Sequence, residues 1–217
     1  MMNREVVVLS LLVACSLNVV AQDQKAPSTA DPAKVERPVT KVGEAKVWAV
    51  LDPISRVASG EFVATILSIE DSKIKTEVKS SRGSTGQSVS DDDGRLFSDT
   101  QRGYTPAKQL YNFPLEVGKK WEYSTTFPYA GCGTSRIDMK SEVVGWESVT
   151  VPAGTYRALK VQHSGYWNNC YGSDFHKETY WYVPEMKGAV KSEVTWGTKG
   201  GAPGGSTYEL KSASLQK

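Results

Sequence analysis

The residues of this 217-residue chain whose types could do chemistry together are Cys132, Cys170, His163 and His176. As metal ligands they fit poorly, because zinc sites draw their donors from pairs a few residues apart and this spacing follows none of the common patterns. His176 with nearby Asp174 is the one acid–base pair worth inspecting, and it sits beside a turn rich in Asn, Gly and Ser, where a solvated histidine is the simpler reading. The carboxylates of Asp91-Asp92-Asp93-Gly94 do not match the ligand spacing of the helix–loop–helix calcium loop and read as a tight turn. The chain has no Gly-x-Ser-x-Gly elbow, no His-Glu-x-x-His, no phosphate loop and no dinucleotide fingerprint. The inventory of acid, base and nucleophile is therefore not met, a hydrolase is the weakest of the functional classes, and no cofactor or metal is implied.

The cysteines say more about compartment than about catalysis. Arg4 is followed by the apolar run from Val6 to Ala14, and the chain turns polar at Gln22, Asp23 and Gln24. That is the pattern of a secretory signal over residues 1–21, too short to span a bilayer, which needs about 20 apolar residues. Val19-Val20-Ala21 offers a cleavage site before Gln22, and Leu12-Val13-Ala14-Cys15 resembles the bacterial lipobox, in which Cys15 is lipidated. Cleavage after Ala21 leaves the better mature end. Lipidation at Cys15 stays open as the alternative and is the only route by which the sequence implies a membrane. Either way Cys132 and Cys170 are the two cysteines of the exported domain, and in an oxidising compartment an isolated pair reads as a disulfide.

Residues 22–42 contain Lys25, Pro27, Pro32, Glu36 and Pro38 and little that is large and apolar, so they are expected to be a disordered linker. Residues 43–217 are long enough for one domain with a sizeable core. With 26 basic against 24 acidic residues there is no basic stripe for nucleic acid and no acidic field for a cationic partner. The compartment expected is the periplasm, the outer membrane surface or the exterior.

The elements that must position these residues are strands. Lys46 to Leu51, Phe62 to Ile69 and Ile74 to Lys79 are short, rich in β-branched and aromatic residues, and separated by turn material. Residues 80–90 read as a polar loop before Arg95-Leu96-Phe97. Trp121, Tyr123, Thr125 and Phe127 alternate with Glu122, Ser124 and Thr126, the two-residue period of a strand with one face buried. Pro152-Ala153-Gly154 turns a hairpin, and further strands are expected over Glu178 to Val183, Ala189 to Trp196 and Thr207 to Ala213. The outward and return strands of the hairpin bring the loops of Cys132 and Cys170 to one end of the sheet, where a staple between them is reasonable. The fold class expected is all-β: one strongly curved antiparallel sheet (a half-barrel) or a two-sheet sandwich.

Phe113-Pro114-Leu115-Glu116-Val117-Gly118-Lys119-Lys120-Trp121-Glu122-Tyr123, Val149-Thr150-Val151-Pro152-Ala153-Gly154-Thr155-Tyr156 and Thr179-Tyr180-Trp181-Tyr182-Val183-Pro184-Glu185 resemble successive motifs of uncharacterised bacterial exported proteins related to domain of unknown function 3108. The resemblance covers about residues 45–215 and implies a curved antiparallel sheet in the cell envelope, with no activity attached.

What the residues themselves imply is binding. Six Trp and ten Tyr are a surplus, and Tyr180-Trp181-Tyr182 puts rings on both faces of one strand, which calls for a second layer of core or for a ligand groove. The expectation is a carrier of an apolar or amphipathic small ligand on a concave face lined by Trp121, Tyr123, Trp181 and Val183. The alternative is a module that recognises a protein, glycan or other envelope component through Tyr129, Tyr166, Trp167 and Tyr171 around the disulfide.

Overall fold

Trp121, Tyr123, Thr125 and Phe127 are buried and Glu122 and Ser124 exposed, so the alternation read from the sequence is realised as a strand with one covered face. The structure, a computed structural model, describes residues 31–198 and 200–216. The leader, its two cleavage sites and Cys15 lie outside the described residues.

Twelve strands follow one another: β1 Ala45–Leu51, β2 Ala58–Glu70, β3 Lys73–Ser80, β4 Thr85–Ser90, β5 Arg95–Ser98, β6 Gly103–Gln109, β7 Lys120–Tyr129, β8 Gly133–Val151, β9 Gly154–Asn169, β10 Gly172–Val183, β11 Gly188–Trp196 and β12 Gly204–Ser214. Each pairs antiparallel with the next, and β1 also pairs with β12, from Ala45 opposite Ser214 to Leu51 opposite Thr207. The sheet therefore closes into an up-and-down barrel. This corrects the expected half-barrel or sandwich. Two of the strands that complete the circle carry weak local signals: β4 is Thr-Gly-Gln-Ser-Val-Ser, which reads as loop, and β6 contains Pro106. The closing β1–β12 ladder joins the two ends of the domain and leaves no local pattern at all.

Pro106 has a structural consequence. The backbone ladder between β6 and β7 is reduced to Thr105 opposite Thr126, as expected of a strand that contains proline. Side chains stitch the seam instead: Thr125 Oγ1 donates to the Pro106 carbonyl at 2.6 Å, Thr126 Oγ1 to the Thr105 carbonyl at 2.8 Å, and the Trp121 indole N–H to the Gln109 carbonyl at 2.9 Å.

The core is one-sided. On β7 to β10, Phe127, Ile137, Met139, Val143, Leu159 and Val161 pack with Tyr182 into one cluster. A second cluster lies on the opposite face of β10, where Trp181 and Val183 meet Val149, Val151 and Ala158 of the β8–β9 tip together with Leu210 of β12. The tip is docked there by the Ala153 N–H, which donates to the Leu210 carbonyl at 2.9 Å. Two layers of core thus account for the rings on both faces of β10. No residue of β2, β4 or β5 is fully buried, and β3 buries only Ile74. Their inward side chains are half-covered because that side of the barrel is hollow.

Residues 31–42, the later part of the segment read as a linker, are held along one end of the barrel. Arg157 donates to the Asp31 carboxylate at 2.6 and 2.8 Å, Val35 and Leu115 exchange backbone hydrogen bonds of 2.9 and 2.8 Å, and Arg37 pairs with Asp93 at 2.8 Å. Val35 is the anchor. Its side chain is buried in the main cluster, whereas exposed ion pairs of this kind contribute only about 0–1 kcal/mol each.

Candidate functional site

In an antiparallel meander alternate turns lie at opposite ends. The β7–β8 and β9–β10 turns share one end, and there Cys132 and Cys170 form a disulfide with Cα atoms 5.4 Å apart. At the other end lie the β2–β3, β4–β5 and β10–β11 turns, the β6–β7 connection and both ends of the domain. That end opens into the hollow side of the barrel as a cavity of about 310 Å³.

Aromatic rings form one side of the cavity. Tyr111, Phe113 and Tyr182 make a mutual cluster, with centroids 5.2 Å apart for Tyr111–Tyr182 and 5.7 Å for Phe113–Tyr182. Ala64, Ile66, Ile74 and Leu96 from β2, β3 and β5 form the facing wall, and Pro38, Thr40 and Leu215 from the two ends of the domain border it. Gly94, in the acidic turn, also borders it at φ +82°, and a Cβ there would meet Tyr111 Cβ at 2.5 Å, so glycine is what allows the ring to seat.

The charges around this apolar space are mostly spoken for. Asp91 accepts the Arg95 backbone N–H at 2.8 Å and its Nε at 2.7 Å. Burial by itself would push the Glu44 carboxyl up, but Lys187 Nζ and the Gln216 N–H donate to it and hold it below the usual carboxylate range. Lys46 is the exception. Its Nζ donates to the Lys187 carbonyl at 3.3 Å and makes no ion pair among the described residues. Burial pushes its ammonium down to about 8, with Glu44 opposing and Lys187 adding to the fall. Rings and aliphatic walls line the space, with Lys46 and, in the acidic turn, Asp92 as the bordering charges that make no ion pair among the described residues. No histidine or cysteine among the described residues borders it.

The residues expected from the sequence to form a ligand face are divided between the two clusters. Trp121 and Tyr123 are in the main cluster, Trp181 and Val183 in the second, and all four are buried. Of the loop aromatics, Tyr129, Tyr166 and Tyr171 are exposed, with the Tyr129 and Tyr171 rings 6.4 Å apart beside the disulfide. Trp167 turns inward, packs on the main cluster, and donates its indole N–H to the Gly197 carbonyl at 3.1 Å.

A separate group of titratable side chains gathers inside the packed half. Glu178 accepts from Lys108 Nζ at 2.6 Å, His176 Nε2 at 2.7 Å and the Tyr180 hydroxyl at 2.7 Å. Ser141 Oγ lies 2.7 Å from His163 Nδ1, while His163 Nε2 and the Tyr123 hydroxyl have no hydrogen-bond partner among the described residues. A serine–histidine contact invites comparison with a nucleophile and base, but His163 is 0% and Ser141 2% exposed and neither borders the cavity. Its consequence is for stability. Burial pushes His163 down to about 4, with Lys108 and His176 adding and Glu178 opposing. The unfolded imidazole takes its proton near pH 6.5 and the folded one does not, so stability is complete above 6.5 and falls as pH drops towards 4. Between pH 6.5 and 5, above the carboxyl range, the loss is expected to be about 2 kcal/mol. Urea unfolding at several pH values measures it: His163→Gln should flatten the slope, and a wild-type stability that stays level over this interval would overturn the assignment.

Sequence reading missed Lys46, Lys108 and Glu178. The signal was present for two of them: Glu178 heads the face shared by Tyr180 and Tyr182, and Lys46 the face shared by Trp48 and Val50, so each is a charge at an inward register position.

No protein-family model and no curated protein matches the sequence. The likeness that exists is to solved structures. A protein described as exported, with a YmcC-like fold, from Bacteroides fragilis NCTC 9343 superposes with a TM-score of 0.57 over 83% of this chain and 99% of its own, at 14% identity. A protein described as a lipoprotein, from Parabacteroides distasonis ATCC 8503, gives 0.56 over 85% and 100%, at 14% identity. The hypothetical lipoprotein YmcC from Escherichia coli K12 gives 0.50 over 80% and 86%, at 10% identity. The chain shares their barrel fold. Membership in a family related to domain of unknown function 3108 is not established by these comparisons.

Proposed function

We propose that this protein is exported to the cell envelope and there carries one small apolar or amphipathic ligand in the cavity at the open end of its barrel, without catalysing a reaction on it. The observation that carries the reading is the asymmetry of the barrel: one half packed by large side chains, the other left with an apolar space at the lower end of the usual ligand-pocket range of about 300–1,000 Å³. Export is supported by the leader pattern, by the disulfide, and by solved structures of the same fold being described as exported proteins or lipoproteins. A second reading, recognition of an envelope protein or glycan, draws on the exposed rings of Tyr129, Tyr166 and Tyr171 at the disulfide end.

Native mass spectrometry of the chain, expressed with its own leader in a Gram-negative host, tests the first reading. The native mass should exceed the denatured mass by that of one small amphiphile. Equal masses would argue for an empty barrel and turn attention to the loop aromatics. The denatured mass also separates cleavage after Ala21 from lipidation at Cys15.

A further inference from the structure

Lys46 is an ammonium at the wall of an apolar cavity whose other charges are already matched or face them from the rim. Glu44 is taken by Lys187 and by the Gln216 backbone, and Asp91 by Arg95. Asp92, in the acidic turn, makes no ion pair among the described residues and is the one further charge bordering the space. A half-buried ammonium against an apolar wall, with no carboxylate bonded to it, is a ready partner for an incoming anion. The cavity itself leaves room for that something. At roughly 30 Å³ for each water-sized group, about 310 Å³ accommodates on the order of ten methylene-sized groups. That is room for one short chain inside the cavity.

We infer that the ligand is an anion-headed, single-chain amphiphile of about ten carbons, its head on Lys46 Nζ and its chain against Tyr111, Phe113, Tyr182, Ile66 and Leu96. The inference rests on the carrier reading and adds the headgroup, which that reading leaves open. A carboxylate or a phosphate monoester meets the same ammonium by the same charge-assisted hydrogen bond. The chain gains from burial against rings and aliphatic side chains in either case.

The head also sets a pH dependence. The groups facing Lys46 are Glu44 and Lys187, with Asp91 and Asp92 from the β4–β5 turn, Arg95 at the start of β5 and the hydroxyls of Tyr111 and Tyr182 around the same space. Of the charges bordering the cavity, Lys46 is the one held near 8, so an anion should bind best below that pH and lose its headgroup advantage as the ammonium gives up its proton above it.

The test is isothermal titration of the intact exported chain with decanoate, decanol and decyltrimethylammonium, each below its aggregation limit. Decanoate should bind at least about tenfold tighter than decanol at pH 7, the worth of one charge-assisted hydrogen bond. Raising the pH to 9.5 should weaken decanoate alone. Lys46→Met should erase its advantage while leaving decanol binding in place, and retained decanol binding also shows that the variant is folded. Lys46→Gln, which keeps a polar head, should behave in the same way. Equal affinity for decanoate and decanol, a preference for the cation, or an advantage that survives both substitutions would overturn the headgroup assignment while the carrier reading stands. If none of the three binds, the carrier reading falls with it.

Discussion

Glu178→Ala is expected to cost about 3–5 kcal/mol of stability, the largest loss from any single side chain in the packed half of the barrel. The carboxylate is 1% exposed and holds three donors at once: the Lys108 ammonium, His176 and the Tyr180 hydroxyl. Burial pushes its pKa up, but Lys108 and His176 outweigh that and hold it well below the ordinary carboxylate range, so it is ionised throughout the physiological interval. Removing it leaves Lys108, whose side chain is 8% exposed, as a buried cation with no partner. For a domain of this size the melting temperature should fall by roughly 10 °C. Pairing Glu178→Leu with Lys108→Met separates the two contributions. If the loss comes from the stranded cation, the double variant regains most of it, because replacing both ions of a buried pair by apolar residues is often close to neutral. Recovery will be incomplete, since His176 and Tyr180 still lose their acceptor. Calorimetry of the single and double variants decides the matter. A single variant within 1 kcal/mol of wild type, or a double variant as weak as the single, would show that the cluster does not act through the ion pair.

How much of this could be read beforehand depends on how local each signal is. The two-residue alternation of β7, the Pro152–Gly154 turn and the meander of β1 to β3 are written within a few residues, and all of them appear in the structure. Barrel closure is not local. It needs β4 and β6, whose Ser, Gly and Pro residues have poor strand propensity, and the ladder from Ala45 to Ser214, which no short window contains. The cavity shares that difficulty, because a hollow is defined by what several distant strands leave out. Its aromatic side, Tyr111 and Phe113, lies in the connection after β6, and its cation in β1. The binding residues named from sequence were chosen as large rings on regular strands, and such rings are also what a core selects. Trp121 and Trp181 accordingly pack into two different clusters. The proposed headgroup contact rests instead on an anomaly in the pattern: Lys46 at a position where alternation calls for an apolar side chain.

The disulfide was legible, since two cysteines at neighbouring turns of one hairpin unit have few alternatives, and it carries the second large prediction. Cys132→Ser together with Cys170→Ser should cost about 4 kcal/mol, because the bridge closes a loop of 38 residues and removes that much chain entropy from the unfolded state. The native end of the barrel hardly needs the staple. Tyr129 already pairs with Gly133, Gly172 with Asn169, and β8 runs along β9 from Arg136 opposite Asn168 to Val151 opposite Gly154. The effect should therefore appear in the unfolded chain, as a steeper dependence on urea once the bridge is gone and more surface is exposed on unfolding. If stability were unchanged and only the Tyr129 and Tyr171 rings loosened, the bridge would be acting locally on the exposed loops, and their role in recognition would gain weight. The same arithmetic bears on compartment. A chain kept in a reducing cytosol lacks this contribution and still carries the buried His163 and Glu178, so it has the least margin there and reaches full stability only where the thiols are oxidised. Urea unfolding of the oxidised and reduced wild-type protein, side by side, should differ by the same amount as the serine variant does.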